Sequence, residues 1–485
     1  MNHPSSYKGQ HVVVLGLAKS GVTAAKVFHH FGADVTVNDK KDRELCPEAD
    51  ELTALGISVL CGSHPSDLVT ESTALLIKNP GIPYTAEPVK RALELGVEVV
   101  TEVETAYYLS SAPIIGITGS NGKTTTTTMI GELLVAAGLK PIVAGNIGRP
   151  LCEAAIEAEE DQWIVAELSS FQLKGTKAFR PHIGLLLNIA ETHLDYHGDM
   201  DDYIASKLKM FDNQTAEDTA VLNWDYAECR KAASKLKARL LPFSLYERLA
   251  TGGVYVDPPF DPNDHSAGYT VIEPSGQEIA RRIVYCDTEG QVSEIISVSE
   301  LGILGRHNTA NALAAVAACI AAGALPEQLK QPLADFRSVE HRLEYVSEVN
   351  GVRYYNDTKA TNPVATTMSV RALEGSIVLI AGGLDRGSDY MELLPLLQNN
   401  VKGLVVIGQT RSKLAHVAEL AGLTTVISVE PEEDADRTLE TAVREAAALA
   451  EPGDIVLLSP ACASWDMFAS YEQRGRIFKK SVHTL

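Results

Sequence analysis

Short apolar runs rich in β-branched residues alternate along the chain with glycine-containing turns and longer amphipathic stretches. This rhythm predicts β-α-β units with mostly parallel sheets, because a strand buried on both faces is apolar at consecutive positions. At 485 residues the chain is too long for one hydrophobic core. The pattern falls into three blocks, so we predict an α/β fold of three domains with boundaries near residues 101 and 338.

The predicted elements follow the apolar runs. In the first block, strands are expected at 11–15 and 34–38, with a helix that ends near residue 31. The second block is expected to contain strands at 114–118, 163–168 and 183–188 and a closing helix at 308–322. The predicted strands of the third block are 352–355, 377–381, 404–407 and 455–458. Residues 240–298 are expected to form a more variable, turn-rich stretch.

Composition and charge limit the class of protein. Apolar residues make up 45% of the chain and charged residues 22%, which is usual for a soluble enzyme. The net charge of −21 argues against a nucleic acid or an anionic membrane as partner, because both would be repelled. Seven cysteines without a CxxC pair predict free thiols in a reducing compartment. Because no signal peptide or membrane-spanning run is present, we expect a cytoplasmic protein.

The clearest chemical motif is TGSNGKTT at residues 118–125, between an apolar strand and a predicted helix. Its glycines let successive backbone N–H groups cradle phosphate oxygens at the start of the helix. Lys123 can reach the β- and γ-phosphates of a nucleotide, and the Thr124 hydroxyl can bind Mg²⁺. Ile117 stands where the general P-loop pattern has glycine, so a chance glycine-rich turn is the alternative.

A second glycine-containing turn, GLAKSG at residues 16–21, follows the first strand. Asp39 lies at the distance expected for a carboxylate that contacts a ribose, but Ala18 replaces the middle glycine of the dinucleotide pattern. The turn therefore favours a bound nucleotide diphosphate and says little about nicotinamide. An ordinary structural β-α turn is the alternative.

Two further candidates follow apolar strands of the same block. Glu167 stands at the end of one strand, where a carboxylate beside a P-loop can bind Mg²⁺. His193 follows the next strand and could bind a metal or contact the substrate. The alternative for Glu167 is a solvated glutamate at a strand end, and the alternative for His193 is a loop histidine that binds no ligand.

Lys207 is predicted to point into the protein. Helical spacing places it in one sector with Tyr203, Ile204 and Phe211, whereas Lys209 falls on the opposite side. Burial favours the neutral amine, and a neutral amine beside Mg²⁺ can add CO₂ to form a carbamate. The alternative is a lysine whose stem is buried and whose charged end reaches solvent.

Three polar loops follow strands of the third block. They are NDTKATNP at 356–363, GGLDRG at 382–387 and SPACAS at 459–464. Polar loops at the C-terminal ends of neighbouring parallel strands are typical of the ligand crevice in open α/β sheets. Although each could be an ordinary turn, together they indicate a small anionic substrate.

These motifs together resemble the Mur ligase family of peptidoglycan synthesis, and most closely its D-glutamate-adding branch. The family P-loop reads like residues 119–124, so the absence of the early glycine is a family trait. ELSSFQL at 167–173, the 16–21 turn and SPACAS at 459–464 are typical of that branch. The Asp-Asn-Pro-Arg motif of the diaminopimelate-adding relatives is not present. The resemblance covers essentially the whole chain.

The resemblance implies a role for each domain. Residues 1–101 would form a Rossmann-like domain that binds the UDP substrate, 102–338 a P-loop ATPase-type domain, and 339–485 a Rossmann-like domain that binds the amino acid. UDP-N-acetylmuramoyl-L-alanine and D-glutamate would be joined through an acyl phosphate. ATP, two Mg²⁺ ions and a carbamylated Lys207 would serve the reaction. We expect a monomer without a nucleic-acid or membrane partner.

The resemblance also assigns individual residues. Lys123, Glu167, His193 and Lys207 would be catalytic. The metal ligands would be Thr124, Glu167, His193 and carbamylated Lys207. ATP would contact Gly119, Ser120, Asn121, Gly122, Lys123, Thr124, Thr125, Asn311, Arg342 and Asp357. The UDP substrate would contact Lys19, Ser20, Asp39, Asn146 and Ser169. D-Glutamate would contact Lys359, Thr361, Arg386, Ser464 and Tyr471. Two of the last group differ from some relatives, which have lysine at 386 and phenylalanine at 471.

Other functions remain open from the sequence. A sister ligase of the folylpolyglutamate type would share the chemistry and differ in the amino acid or the acceptor, but the 167–173 motif argues against it. An NAD-dependent oxidoreductase is suggested only by the 16–21 turn. A non-enzymatic P-loop switch would leave the three polar loops of the last block unexplained.

Overall fold

The computed structural model describes residues 1–191, 194–263, 268–272, 276–303, 305–337, 339–373, 375–432 and 434–485, and of Leu194 and Asp195 only the backbone. The described chain divides into two compact units. The first consists of Met1–Pro259, Arg282–Ile296 and Ala310–Leu333. The second consists of Phe260–Arg281, Ser297–Thr309 and Ala334–Leu485.

The first unit begins with a five-stranded parallel sheet in the order β3-β2-β1-β4-β5. Its strands are β1 (His11–Leu15), β2 (Asp34–Asp39), β3 (Ser58–Cys61), β4 (Thr73–Lys78) and β5 (Glu98–Val100). Its helices are α1 (Lys19–His30), α2 (Glu48–Ala54), α3 (Glu87–Glu94) and α4 (Glu102–Leu109). Because Leu15 pairs with both Asn38 and Lys78, the segments that follow β1, β2 and β4 meet at one edge.

A nine-stranded sheet follows in the order β16-β15-β12-β11-β10-β9-β6-β8-β7. Its first strands are β6 (Ile114–Thr118), β7 (Lys140–Gly145), β8 (Gln162–Glu167), β9 (Ile183–Leu186), β10 (Thr219–Asn223), β11 (Arg239–Ser244) and β12 (Gly253–Asp257). A separate antiparallel pair is formed by β13 (Thr270–Ile272) and β14 (Glu278–Ala280). The large sheet is completed by β15 (Arg282–Cys286) and β16 (Val292–Ser297). Its β6–β12 part is parallel, and β15 runs antiparallel to β12.

The helices of this central part connect and cover the strands. They are α5 (Lys123–Ala136), α6 (Leu151–Glu157), α7 (Ser170–Lys174), α8 (Leu194–His197), α9 (Met200–Leu208), α10 (Ala227–Ala233), α11 (Arg306–Ala321) and α12 (Lys330–Asp335). Side-chain caps define where two of them begin. Asp199 accepts a hydrogen bond from the N–H of Asp202 at the start of α9, and Ser169 forms a capping box with Gln172 at the start of α7.

The second unit contains a six-stranded sheet in the order β17-β18-β22-β19-β20-β21. Its strands are β17 (Glu344–Val349), β18 (Val352–Asn356), β19 (Ile377–Gly382), β20 (Val401–Ile407), β21 (Val426–Ser428) and β22 (Ile455–Leu458). Its helices are α13 (Pro363–Arg371), α14 (Leu394–Asn400), α15 (Arg411–Leu420), α16 (Ala435–Leu449) and α17 (Tyr471–Val482). Only β17 is antiparallel to its neighbour. Short 3₁₀ helices lie at Pro4–Tyr7, Arg43–Leu45, Val298–Glu300, Pro326–Gln328 and Met391–Leu393.

The predicted α/β fold with three α/β domains is confirmed. One buried apolar cluster runs from Val12 of β1 through Val103 of α4 to Ile164 of β8, so the first two domains share a core. The first two domains therefore belong to one compact unit. The boundaries at 101 and 338 stay predictions, and residue 338 itself lies outside the described residues.

The strand and helix predictions differ from the structure mainly in extent. The stretch 240–298, predicted as turn-rich, contains most of β11 and all of β12–β16. Its strands are short and are interrupted by turns, so their apolar alternation is weak in the sequence. The helix predicted at 308–322 is α11, which begins at Arg306. None of the helices that the structure describes is both long enough and apolar enough to cross a membrane.

Candidate active site

Three neighbouring parallel strands of the central sheet end at one edge, beside the residues predicted to act on phosphates. β6 lies between β8 and β9, with Ile117 opposite Glu167 and Thr118 opposite Leu186. The 118–125 loop therefore lies between Glu167 and the segment that follows β9. This is the edge at which open α/β sheets bind their ligands.

The loop has the sharp turn that a phosphate cradle requires. Gly122, the residue before α5, has a φ of +83°, a left-handed conformation that favours glycine. A Cβ atom there would lie 2.3 Å from Oδ1 of Asn311, so a side chain at 122 would collide. Asn188 also holds the loop. Its Oδ1 accepts a hydrogen bond from the N–H of Asn121 at 2.8 Å, and its backbone oxygen accepts one from the N–H of Ser120 at 3.1 Å.

Two lysine side chains converge on one carbonyl oxygen of the loop. Nζ of Lys123 donates to the oxygens of Gly119 at 2.7 Å and Ser120 at 3.1 Å. Nζ of Lys207 donates to the same Gly119 oxygen at 2.8 Å and to Oγ1 of Thr118 at 3.3 Å. Two ammonium groups that share an acceptor repel each other, so this arrangement favours loss of a proton from one of them.

Lys207 is the lysine whose charged form is disfavoured. It is 1% exposed, as the helical spacing predicted, and the charged end does not reach solvent. Burial lowers the pKa of Lys207 well below its usual value, the charge of Lys123 lowers it further, and Glu167 acts in the opposite direction. Nζ also lies 4.8 Å from the centre of the Tyr203 ring, whose hydroxyl shares a hydrogen bond of 2.8 Å with Ser120.

The two carboxylate oxygens of Glu167 differ in their hydrogen bonding to the described residues. The side chain is 1% exposed, and Oε1 accepts from Nδ2 of Asn146 at 2.8 Å. Oε2 is buried and has no hydrogen-bond partner among the residues that the structure describes. A buried carboxylate oxygen without a partner is costly, and a cation bound there would remove the cost. The solvated strand-end alternative for Glu167 is therefore wrong, and the residue fits a Mg²⁺ ligand.

Of the other predicted metal ligands, the structure describes Thr124 but not His193. Thr124 and Thr125 are buried in the first turn of α5. His193 lies outside the described residues, between β9 and α8. Within the described part of the chain, no group of three or more His, Cys, Asp or Glu side chains could hold a metal by itself. Mg²⁺ bound with nucleotide phosphates needs only one or two protein ligands, so the arrangement fits that ion.

The residues predicted for the UDP substrate lie in two places within the first unit. Lys19 and Ser20 begin α1, where Oγ of Ser20 accepts from Nδ2 of Asn79 at 3.4 Å. Both carboxylate oxygens of Asp39 accept backbone hydrogen bonds: Oδ2 from the N–H of Leu17 at 2.9 Å, which fixes the 16–21 turn, and Oδ1 from the N–H of Lys41 at 3.0 Å. The second place is the end of β8. There Asn146 bonds Glu167 and Ser169 caps α7.

In the second unit, the predicted ATP contacts Arg342 and Asp357 come together. Oδ1 of Asp357 accepts from the N–H of Leu343 at 3.1 Å, and Oδ2 accepts from Oγ of Ser459 at 2.7 Å. Burial raises the pKa of Asp357 to about 6, and the hydrogen bonds and the charge of Arg342 oppose that rise.

The predicted D-glutamate contacts stand on three loops at one edge of the six-stranded sheet. The register pairs Asn356 with Leu458 and Leu458 with Ile380, so the loops after β18, β22 and β19 are adjacent. Their members are Lys359 and Thr361 on the first loop, Ser464 on the second and Arg386 on the third, with Tyr471 at the start of α17.

Two of the cationic side chains in this group make cation–π contacts with aromatic rings. Nζ of Lys359 lies 5.5 Å from the centre of the Tyr471 ring. The guanidinium of Arg386 lies 5.1 Å from the ring centre of Trp465, which follows Ser464 and is 65% exposed. Cation–π contacts of this kind orient a long side chain.

Sequence reasoning missed the residues that shape these loops. Asn188 could have been found as the polar residue that closes a buried strand, IGLLLN. Tyr203 was placed with Lys207 on one helix face, but its bond to Ser120 was not predictable from spacing. Arg474 carried no signal, because an arginine in an amphipathic helix is usually exposed.

Family models match most of the chain in three consecutive segments. Residues 10–101 match the Mur ligase MurD-like N-terminal domain, 117–319 the Mur ligase middle domain, and 341–462 the glutamate ligase domain of Mur ligases. The chain is 46% identical to a UDP-N-acetylmuramoylalanine--D-glutamate ligase of Geobacillus sp. (strain WCH70), over 100% of both chains. It is 43% identical to the ligase of that name from Bacillus subtilis (strain 168), also over 100% of both.

Solved structures show a similar fold at low identity. The UDP-N-acetylmuramate-alanine ligase MurC from Thermotoga maritima has a TM-score of 0.57 at 17% identity, covering 98% of this chain and 99% of its own. MurF ligase from the same organism, in complex with ADP, has a TM-score of 0.57 at 16% identity, covering 99% and 97%.

Proposed function

The chain belongs to the Mur ligase family, and from this membership we propose that it joins D-glutamate to UDP-N-acetylmuramoyl-L-alanine in an ATP-dependent reaction of peptidoglycan precursor synthesis. The observation that carries the proposal is the identity of 43–46% with D-glutamate ligases over their full length. The convergence of Lys123, Glu167 and Lys207 beside one phosphate-binding loop supports it.

The chemistry requires activation of a carboxylate, which is a poor acyl donor. A carboxylate oxygen of the UDP substrate would attack the γ-phosphorus of ATP, forming an acyl phosphate and releasing ADP. The amine of D-glutamate would then attack the acyl carbon, and the resulting tetrahedral intermediate would lose phosphate and a proton to give the amide. Lys123 would turn from the loop carbonyls to the phosphates and offset negative charge during the first step.

Mg²⁺ would be held by Thr124 and Glu167 at one position and by His193 and carbamylated Lys207 at a second. Bound there, the ions would neutralise phosphate charge. The buried Oε2 of Glu167, which has no hydrogen-bond partner among the described residues, supports the first position. The residues around it keep the carboxylate in place: Asn146 holds its other oxygen at 2.8 Å.

We further propose that Lys207 is carbamylated in the active enzyme. The neutral Nζ would attack the carbon of CO₂, forming an N–C bond and releasing a proton, and the product carries negative charge on two oxygens. Three features support this: the side chain is buried, its pKa is lowered, and it stands beside both Lys123 and Glu167. A negative group at this point would also relieve the repulsion between the two lysines at the Gly119 oxygen.

Substrate binding would be divided among the predicted groups. The UDP substrate would contact Lys19, Ser20, Asp39, Asn146 and Ser169. ATP would contact residues 119–125 together with Asn311, Arg342 and Asp357. D-Glutamate would contact Lys359, Thr361, Arg386, Ser464 and Tyr471. The adjacency of the three loops in the six-stranded sheet supports the last group.

We also propose that the enzyme acts as a monomer in the cytoplasm. All seven cysteines are free, and six of them are buried, as expected in a reducing compartment. Size-exclusion chromatography with light scattering should give the mass of one chain, and a dimer mass at micromolar concentration would contradict the monomer.

A panel of amino acids tests the proposed function. Phosphate release is expected only when ATP, Mg²⁺, UDP-N-acetylmuramoyl-L-alanine and D-glutamate are all present. L-Glutamate, L-alanine, L-lysine and meso-diaminopimelate should give a rate lower by about a hundredfold or more, because a binding site built for one stereoisomer leaves polar groups unpaired with another. Equal turnover with D- and L-glutamate would overturn the assignment, and preference for another amino acid would indicate a sister ligase.

Substitution of Glu167 by glutamine tests the metal position. The change removes a negative charge and keeps the shape, so the Mg²⁺ concentration for half-maximal rate should rise by about tenfold. Direct Mn²⁺ binding, measured by electron paramagnetic resonance in the presence of a non-hydrolysable ATP analogue, should weaken in parallel. Glu157→Gln, an exposed glutamate on α6, serves as the control and should behave as the wild type. An unchanged metal dependence in Glu167→Gln would remove this residue from the metal site.

A further inference from the structure

Arg474, in the first turns of α17, is fully buried. Its Nε donates to Oγ1 of Thr358 at 2.8 Å, and its Nη2 donates to the backbone oxygens of Thr358 at 2.9 Å and Cys462 at 3.2 Å. Its Nη1 donates more weakly to the oxygen of Gly382 at 3.5 Å. Each of these acceptors is an uncharged oxygen. The guanidinium is therefore held by polar backbone groups and a hydroxyl.

The acceptors belong to the three loops that carry the predicted D-glutamate contacts. Thr358 directly precedes Lys359, Cys462 is two residues before Ser464, and Gly382 is four residues before Arg386. One side chain thus bonds the loops after β18, β22 and β19 together. A planar guanidinium with five donors can bond several acceptors in fixed directions, which an ammonium group cannot do in the same way.

The backbone of α17 is shaped so that Arg474 can reach these loops. A Cβ atom on Gly475 would lie 2.3 Å from Nδ1 of His341 and 2.7 Å from Cγ2 of Thr358, so only glycine permits this approach. Oγ1 of Thr358 also donates to the backbone oxygen of Tyr471 at 3.1 Å. The first turn of α17 and the loop after β18 are therefore joined at two points.

Burial of a charge in such a place is costly and needs compensation. Burial lowers the pKa of Arg474 to about 10, and the charge of the nearby Asp466 carboxylate opposes the shift, so the group stays protonated at neutral pH. A buried cation without a hydrogen-bonded carboxylate is usually less favourable than an apolar side chain of the same volume. An apolar residue, however, would neither bond the three loops nor place positive charge beneath them. An anionic ligand on these loops would benefit from both effects, since a charge acts over a longer distance in a medium of low polarisability.

We propose that Arg474 is a positioning residue for the amino-acid substrate: it holds the loops of Lys359, Arg386 and Ser464 in one arrangement and adds positive charge beneath the two carboxylates of D-glutamate. The inference rests on the proposed function and extends it to a residue that does not itself contact the substrate. A purely structural arginine would stabilise the domain without any preference for one of the three substrates.

Steady-state kinetics of Arg474→Met and Arg474→Lys separate these two roles. Arg474→Met keeps much of the volume and loses the charge, so the KM for D-glutamate should rise by about tenfold or more. Arg474→Lys keeps the charge and loses the planar fork, so its KM should lie between those of Arg474→Met and the wild type. The KM for the UDP substrate should change by less than about twofold, because that ligand is assigned to residues of the first unit. The KM for ATP does not discriminate, because the predicted ATP contact Asp357 directly precedes Thr358. Arg476→Met, an exposed arginine on the same helix, is the matched control and should equal the wild type.

A second variant, which removes a hydrogen-bond partner of Arg474, keeps the proposal testable if Arg474→Met does not fold. Thr358→Val removes the hydroxyl that accepts from Nε of Arg474, and it preserves the shape. Its effect on the KM for D-glutamate should not add to that of Arg474→Lys in the double variant, because both changes break one contact. Thermal unfolding of each variant reports whether the fold is retained.

The outcomes distinguish this inference from the proposed function. A wild-type enzyme without D-glutamate-dependent phosphate release would refute the proposed function and, with it, the inference. With an active wild type, an equal rise of the KM values for D-glutamate and the UDP substrate, or an unchanged KM for D-glutamate in the folded variants, would overturn the role of Arg474 alone. A selective rise for D-glutamate, partly restored in Arg474→Lys, would support it.

Discussion

Replacement of Lys123 by alanine is expected to lower kcat by about a thousandfold or more, because the only lysine of the phosphate loop would no longer offset charge as the γ-phosphoryl group moves. Its Nζ lies at the carbonyls of Gly119 and Ser120, within the loop that would hold the phosphates. The measurement is ADP release at saturating substrates. The fold should be retained, since the Lys123 side chain is only half-buried.

A matched control and a second readout sharpen this prediction. Lys140→Ala removes an exposed lysine that pairs with Asp161 at the surface, and its kcat should be that of the wild type. In Lys123→Ala the affinity for the UDP substrate, measured by calorimetry, should change little because that ligand is assigned to other residues. A kcat within about tenfold of the wild type would contradict the role of Lys123 in phosphoryl transfer.

Replacement of Lys207 by alanine should have an effect of similar size, with kcat lower by about a hundredfold to a thousandfold. The change removes the nitrogen on which the carbamate would form. It also leaves a cavity beside Tyr203 and the Gly119 oxygen, where the wild-type side chain is 1% exposed. Phosphate release under saturating conditions is the measurement.

Small carboxylates should restore part of this activity if the carbamate is the functional group. Acetate, formate or bicarbonate can occupy the cavity of Lys207→Ala and return two oxygens and a negative charge to it. Lys209→Ala is the control: its Nζ donates to the carbonyls of Lys174 and Thr176, on the other side of α9, and the variant should be active without added carboxylate. Full activity of Lys207→Ala without added carboxylate would contradict the carbamate.

The two lysines should also depend on each other. Both donate to the Gly119 oxygen, so the charge of Lys123 lowers the pKa of Lys207 and would favour the neutral amine that the proposed carbamate requires. Electrostatic coupling of this kind makes the effects of the two substitutions non-additive. This coupling gives a physical reason for two lysines to contact the same loop oxygen.

Much of the fold and of the candidate site could be predicted from local patterns. The continuous apolar runs of β1, β6, β19 and β22 indicated buried parallel strands, because they are short, rich in β-branched residues and followed by glycine-containing or polar loops. Helical spacing was enough to tell Lys207 from Lys209, since only one of them can share a face with Tyr203. The P-loop and the three polar loops were visible because each follows directly on a buried strand.

Only the tertiary structure decided which of these segments meet. The order of strands in the central sheet, β8-β6-β9, differs from their order in the chain, so the adjacency of Glu167, the P-loop and Asn188 was not evident from sequence positions alone. The weak strands of residues 240–298 are stabilised by pairing with β10 and with one another, and their local patterns were too short to show it.

The sequence by itself determined which chemical groups the protein carries and on which strand ends they stand, because strand, turn and helix preferences act over a few residues. The tertiary structure alone decided that Lys123 and Lys207 share an oxygen, that one carboxylate oxygen of Glu167 has no described partner, and that Arg474 is buried beneath three loops. These facts depend on distance, burial and charge between residues far apart in the chain, and such interactions leave no periodic pattern in the sequence.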